Sequence, residues 1–478
     1  MFKQKTLLIV LNFISILIIL ILIRFIFKFD GLYGQDSYEY LRYTIALKNY
    51  YQTCINPGDY FWPLYYPILG SLLSFFVKSD VALQLISITS LIITSLYISK
   101  TIVLLNENKK HIPFYVFAFF CLSPIVFKIG VSSMSDMLST LFIILFFYNG
   151  LVYSKKNKVS NLYYALIFGI SAIMTRYAAF VVISPFGLYL IYLFIKRKEN
   201  LKHVFVFIFI VCLLFLPHLI IRQNNSTEFL NHNWLKDWSV TNFYKNSFTT
   251  ADGTSYNLLP NILYAFSSVY HPLYFLFGVA FIPFFIKANK FSIEVKILIL
   301  SVSAYSFFLA GIPFQNNRFL LLSFPLIIII LFSGFNFVFD KFSNISVQKV
   351  AMFIVITIQL ILCYFSLKPI LERNHLEREI AYKLENYQNK TLYSFDLDIA
   401  LQGRGLNFDY KNLWIEEYRT FPNDAFILFH PTKFEKQWKD KNPIINWNNL
   451  INNYNLKVVH NLPEGWVLYK IISKKQSI

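Results

Sequence analysis

Charge is the first shortage. Only 15% of the 478 residues are Asp, Glu, Lys or Arg, where soluble domains carry about 25%, and this excludes an ordinary cytosolic globule. Acidic side chains are the scarcer kind: 26 stand against 44 Lys and Arg, for a formal net charge of +18. Cysteine is sparse as well. Of the four, Cys121, Cys212 and Cys363 fall in long apolar runs and leave Cys54 alone outside them, so an exported part has no intramolecular disulfide to rely on. Phosphate-cradling and hydrolytic signatures are missing too. Without a GxxxxGK[ST] loop, GxGxxG, HExxH or GxSxG, soluble nucleotide chemistry and serine or zinc hydrolysis have no carrier. Internal repeats and low-complexity linkers are likewise missing.

What is present suits lipid. The chain is 56% hydrophobic, with 52 Phe and 32 Tyr. Apolar runs long enough, or nearly so, to cross a ~30 Å hydrocarbon core predict spans at 6–27, 81–104, 112–129, 134–153, 160–175, 178–195, 203–221, 262–286, 293–312, 319–339 and 348–367. The first is too long and lacks a small-residue cleavage site, so it is not a removable signal. Basic clusters at Lys100–Lys110, Lys155–Lys158, Lys196–Lys202, Lys287–Lys296 and Lys341–Lys349 are separated by even numbers of crossings, and so share the inner side. Lys3 and Lys5 join them only if the apolar run 61–77, which carries Pro63 and Pro67, does not cross. This predicts eleven spans with the N-terminus on the inner side, the C-terminus outside and 61–77 lying on or dipping into the outer leaflet. A nucleic-acid binder would gather its basic residues on one soluble face; here they lie between apolar runs, so nucleic acid is not an expected partner.

Residues 1–367 therefore read as a membrane domain and 368–478 as a small extracytoplasmic α/β domain, which either binds an acceptor or caps the membrane part. Its strands are expected at 391–395, 425–429, 456–460 and 466–472. Two further outward segments are 28–80 and 222–261. In the first, Asp36, Glu39 and Tyr40 stand at i, i+3 and i+4 and share a helix face. Asp36 is either a helix N-cap or a carboxylate in a partly desolvated site able to act as general base. Asp136, after Ser132, Ser133 and Ser135, again fits an N-cap or the second acid of an outer pocket. Arg176, Arg222 and Arg318 meet the outer side against the positive-inside trend, and Lys128 ends the third span. Each is explained singly by snorkelling; together they offer forks suited to phosphate oxygens. Trp234 and Trp238 suit a sugar-stacking pair or an interfacial anchor. His218 and His271 lack partners at metal-ligand spacing and read as structural.

The string Asp36-Ser37-Tyr38-Glu39-Tyr40-Leu41 resembles the acidic motif in the first outer loop of GT-C glycosyltransferases. Trp62-Pro63-Leu64-Tyr65-Tyr66-Pro67 resembles their juxtamembrane proline segment, and Ser135-Asp136-Met137-Leu138 their second acidic motif. Met174-Thr175-Arg176-Tyr177 and Asn317-Arg318-Phe319-Leu320-Leu321-Leu322-Ser323-Phe324-Pro325 are similar to signatures of bacterial members. The branch is that of protein O-mannosyltransferases and aminoarabinose lipid A transferases (glycosyltransferase family 39-like), and the likeness runs in order over about residues 1–370. It implies an α-helical polytopic GT-C-like fold in a bacterial inner membrane, with the N-terminus cytoplasmic, and an inverting enzyme that takes a hexose or pentose from a polyprenyl-phosphate donor. The acceptor would be a lipid, glycan or protein at the outer face, with membrane lipids around. Asp36 would be the base and Asp136 a support for the acceptor or pocket. Glu39, Tyr40, Lys128, Arg176, Arg222 and Arg318 would bind substrate, the basic ones neutralising the leaving phosphate. No cofactor is required, although branches of the superfamily differ in using a divalent metal. One departure is Gln35-Asp36 where mannosyltransferases carry Asp-Glu. The rival classes are a glycolipid flippase or transporter, which would place charges mid-bilayer or show paired halves, and a polysaccharide polymerase or ligase, which would rely on the 222–261 loop.

Overall fold

The computed structural model describes residues 2–106, 110–222, 233–249, 255–257, 259–288, 291–341 and 345–475. Six helices are long and apolar enough to cross a bilayer: Ser79–Leu105, Ser135–Lys156, Ala179–Lys196, Lys202–Arg222, Ile293–Gly311 and the apolar part of Ile345–Tyr387. A seventh segment is a broken pair, and Val10–Ile26, Val159–Thr175, Gly278–Ala288 and Phe324–Phe339 are shorter apolar helices. Together they fall one for one on the predicted spans, as expected of a polytopic membrane protein. The run at 61–77 forms only a nine-residue helix, Tyr65–Leu73. At 1.5 Å per residue that is about 14 Å, half a crossing. Its Tyr66 hydroxyl donates 3.0 Å to the Leu83 carbonyl and meets Ser87 at 2.9 Å, which ties it to the next helix.

Two spans are interrupted. Ile112–Cys121 and Pro124–Val131 meet at an angle of 71°, because proline cannot donate into a continuing helix and its ring clashes with the preceding turn. The amide of Ile125 donates to the Leu273 carbonyl at 3.1 Å, and the Ser123 hydroxyl reaches the same oxygen at 3.2 Å. Residues 262–286, expected as one span, instead form Asn261–Ala265, Ser267–Tyr270 and then, after an irregular stretch, Gly278–Ala288. Pro272 and the need to present Leu273 explain the break.

The chain divides into two compact units. The first comprises Met1–Gly31, Tyr43–Asn246 and Leu259–Pro369, the second Leu32–Arg42, Ser247–Leu258 and Ile370–Ile478. The Ser135–Lys156 helix runs through the core of the first and is buried along most of its length. The second unit holds a short antiparallel pair, β1 (Ser247–Thr249) and β2 (Ser255–Asn257), and a five-stranded sheet. Its strands are β3 (Thr391–Ser394), β4 (Asp409–Asn412), β5 (Phe426–Phe429), β6 (Tyr454–Asn461) and β7 (Val467–Lys474), ordered β4-β3-β5-β7-β6. Strands β3, β4 and β5 run parallel; β7 is antiparallel to both β5 and β6. The four expected strands are present, and β4 is an addition. Trp466, Phe429, Phe434 and Leu450 anchor its core.

Candidate functional site

The helix carrying Asp136 starts at Ser135 after an extended Met134 that makes no side-chain cap. Asp136 is therefore inside the first turn, not at the capping position, and its side chain is fully buried. Two guanidinium groups reach it. Arg176 Nη1 lies 2.8 Å from Oδ1, and Arg318 Nε lies 3.3 Å from Oδ2. Arg176 is placed by the end of the Val159–Thr175 helix, where it turns extended before Ala179 restarts the next helix. Among the described residues neither carboxylate oxygen makes a well-aligned hydrogen bond, and Arg176 Nη1 makes none either. The cluster is charge-paired, and Arg176 Nη1 and the Asp136 carboxylate meet without aligned hydrogen-bond geometry.

Arg318 is fixed by tyrosines that sequence reasoning did not single out. It sits in a tight 3-10 turn, Asn317–Leu322, whose start is capped by the Asn316 side chain accepting from the Arg318 amide at 3.0 Å. Tyr305 donates to the Phe319 carbonyl at 2.8 Å, Tyr274 donates to the Asn317 carbonyl at 2.5 Å, and Tyr264 donates to the Asn317 side chain. Tyr274 and Tyr305 also lie within electrostatic reach of Asp136. Only their abundance marked them: 32 tyrosines in a membrane chain read as interfacial.

The other basic candidates lie apart from this pair of arginines or beside it. Arg222 donates to the carbonyls of Phe61 and Trp62, the former at 3.1 Å, and so holds the segment leading into Tyr65–Leu73. Lys128 is half-buried on Pro124–Val131, which packs against Asn317–Leu322. Its ammonium makes no hydrogen bond or ion pair among the described residues.

Asp36 belongs to the second unit. Its helix, Gly34–Thr53, begins two residues earlier, so Asp36 is a first-turn residue. The start is closed by Ser37, whose hydroxyl accepts from the Tyr33 amide at 2.7 Å. Asp36 is half-buried; Tyr40 is buried, and Glu39 pairs with Arg42 at 2.8 Å. The segment 222–261 is described only in part. Residues 223–232, 250–254 and 258 and the Trp234 side chain lie outside the described residues. Trp238 is committed to packing: its indole donates to the Phe308 carbonyl at 3.0 Å, and a Cβ on Gly311 would come within 2.1 Å of its nitrogen. His271 accepts from the Leu273 amide at 3.2 Å, a structural role. Among the described residues no three His, Cys, Asp or Glu side chains gather as a metal site would require.

No family model and no curated protein matches this chain. Solved structures do. ArnT from Cupriavidus metallidurans bound to undecaprenyl phosphate aligns over 95% of this chain and 97% of its own, with a TM-score of 0.59 at 11% identity. The apo form of the same protein aligns over 98% of both chains, with a TM-score of 0.60 at 11% identity. At that identity the likeness establishes the fold: GT-C-like, including the sheet domain at the end.

Proposed function

We propose that this chain is a membrane glycosyltransferase that moves a sugar from a polyprenyl-phosphate carrier to a lipid, glycan or protein acceptor at the outer face of a bacterial inner membrane. The observation that supports this most is the Asp136–Arg176–Arg318 cluster within a fold matched end to end by a protein crystallised with undecaprenyl phosphate. Asp136 draws two guanidinium groups to one place, and planar donors of that kind suit phosphate oxygens. Asp36 removes the proton of the acceptor hydroxyl. That oxygen forms its bond to the anomeric carbon as the carbon–oxygen bond to phosphate breaks, and the bonding electrons leave on the phosphate. Arg176 and Arg318, with Lys128, stabilise that charge as it develops. Asp136 holds the two arginines in register. Glu39, Tyr40 and Arg222 shape the segments that flank the substrates. The outer-face assignment rests on the inward basic loops.

Asp36→Asn is expected to abolish transfer while expression and insertion remain normal. Wild-type activity of that variant in membranes supplied with carrier-linked sugar would sink the base assignment. Mass spectrometry of envelope glycolipids, polysaccharides and glycoproteins from a deletion strain is expected to lack one defined sugar, which identifies donor and acceptor. An unchanged envelope would favour a non-enzyme. Activity in EDTA is expected to stay within twofold of normal; its loss would mean that a divalent ion shares the neutralisation.

A further inference from the structure

We propose that Tyr38, Glu377 and Arg404 form a positioning device through which the sheet domain and its leading helix hold the Asp36 turn in its working orientation. Glu377 lies in the charged half of the Ile345–Leu384 helix and is 2% exposed. Its carboxylate accepts from the Tyr38 hydroxyl and, at 2.7 Å, from Arg373 Nε. Arg404 approaches it at 3.7 Å, donates to the same Tyr38 hydroxyl at 2.9 Å, and stacks over the Tyr38 ring at 5.6 Å. Arg373 extends the chain to Asp396, with Nη2 3.1 Å from its carboxylate. A second contact works in parallel: the Asn374 amide donates to the Leu32 carbonyl at 2.9 Å. Tyr33 faces the same charges; burial pushes its phenol up, Arg373 opposes this and Glu377 adds to it. All these residues belong to one compact unit, and Asp36 lies within it.

The geometry favours orientation over mere adhesion. Apolar side chains of similar volume would fasten the helix at least as firmly, because a buried charge pair regains little beyond its desolvation cost. What the network adds is direction. A tyrosine hydroxyl shared between a carboxylate and a guanidinium accepts one rotation of the helix about its axis. Asp36 stands two residues before Tyr38 on the same helix, about 200° around that axis, so the rotation that seats Tyr38 against Glu377 also fixes the direction of Asp36. Gly403 enforces the fit, since a Cβ there would come within 2.5 Å of the Tyr38 ring.

This inference rests on the base role of Asp36. Its test uses the full chain, assayed with deletion-strain membranes that supply both unused carrier-linked sugar and acceptor. Tyr38→Phe is expected to lower kcat by about tenfold or more, to leave KM for the membrane substrate within twofold, and to displace the acidic limb of the pH–rate profile. Protein level and melting temperature should stay near normal. Glu377→Gln combined with Tyr38→Phe should cost no more than the worse single variant, and Gly403→Ala should reproduce the kcat loss. A Tyr38→Phe enzyme with normal kcat and an unshifted pH profile, beside an inactive Asp36→Asn, overturns the positioning role and leaves the base standing. Full activity of Asp36→Asn overturns both. A loss that only tracks protein level or melting temperature would reduce the network to a structural one and overturns the proposal.

Discussion

Asp136 and Glu377 are near twins by burial and company. Each is almost wholly buried, and each has two arginines within ion-pair distance. They differ in how well they are satisfied. Glu377 accepts aligned hydrogen bonds from Tyr38 and Arg373, whereas both oxygens of Asp136 lack an aligned donor among the described residues. A saturated buried carboxylate is a fastening, finished when the chain folds. One whose oxygens lack an aligned donor keeps two guanidinium groups beside it by charge alone, and in the proposed reaction they meet the leaving phosphate.

The contrast can be broken by adding a ligand. Asp136→Ala and Glu377→Ala should each destabilise by about 3–5 kcal/mol, because each strands buried guanidinium charge. Undecaprenyl phosphate should recover most of the thermal stability of the Asp136 variant by supplying a replacement anion, and little or none of that of the Glu377 variant. Equal recovery in detergent melts would erase the distinction. Next in size, Arg318→Ala or Arg176→Ala should weaken undecaprenyl phosphate binding by about 1.5–3 kcal/mol, the worth of a charge-assisted hydrogen bond. Arg373→Ala should leave that affinity within twofold, read by lipid-ligand titration. Tyr305→Phe removes one pin of the Arg318 turn and should cost about 0.5–1.5 kcal/mol in the same titration. Lys128→Met is expected to have the smallest effect, about 1 kcal/mol or less, because a half-solvated ammonium is screened. A larger loss there would move the centre of the phosphate site toward Pro124–Val131.

Much of the membrane architecture was legible because hydropathy and lysine placement act residue by residue. Seven of the expected spans are met at crossing length, one of them as a bent pair, and four by shorter apolar helices; the lysines alone required that 61–77 not cross, and Tyr65–Leu73 is too short to do so. Where a window average replaced local geometry, the expectation blurred: 262–286 looked continuous although Pro272 divides it. Strand β4 was missed because Asp409–Asn412 is polar and lies at the sheet edge, without the apolar run that marks β5. The arginines stood out in the sequence because they defied the expected positive-inside trend. Their meeting at Asp136 did not, since Arg318 and Asp136 are brought together by tertiary folding. The Tyr38–Glu377 bond spans 339 positions, and no local pattern in the sequence encodes so distant a pair.

The bend at Pro124 also sets a timetable. The Ile125 amide finds its acceptor at Leu273, whose codon is read roughly 7–30 s later at ordinary rates of synthesis. Until then the half-made span carries a donor whose acceptor has not yet been made, and such a donor costs several kcal/mol wherever hydrocarbon surrounds it. The nascent chain must therefore park this segment beside water, lipid headgroups or the insertion machinery, and complete the amino-terminal bundle only after the segment around Leu273 has arrived. A chain truncated shortly before Leu273 should remain accessible at Ile125 to hydrogen exchange, whereas one ending well beyond it should be closed.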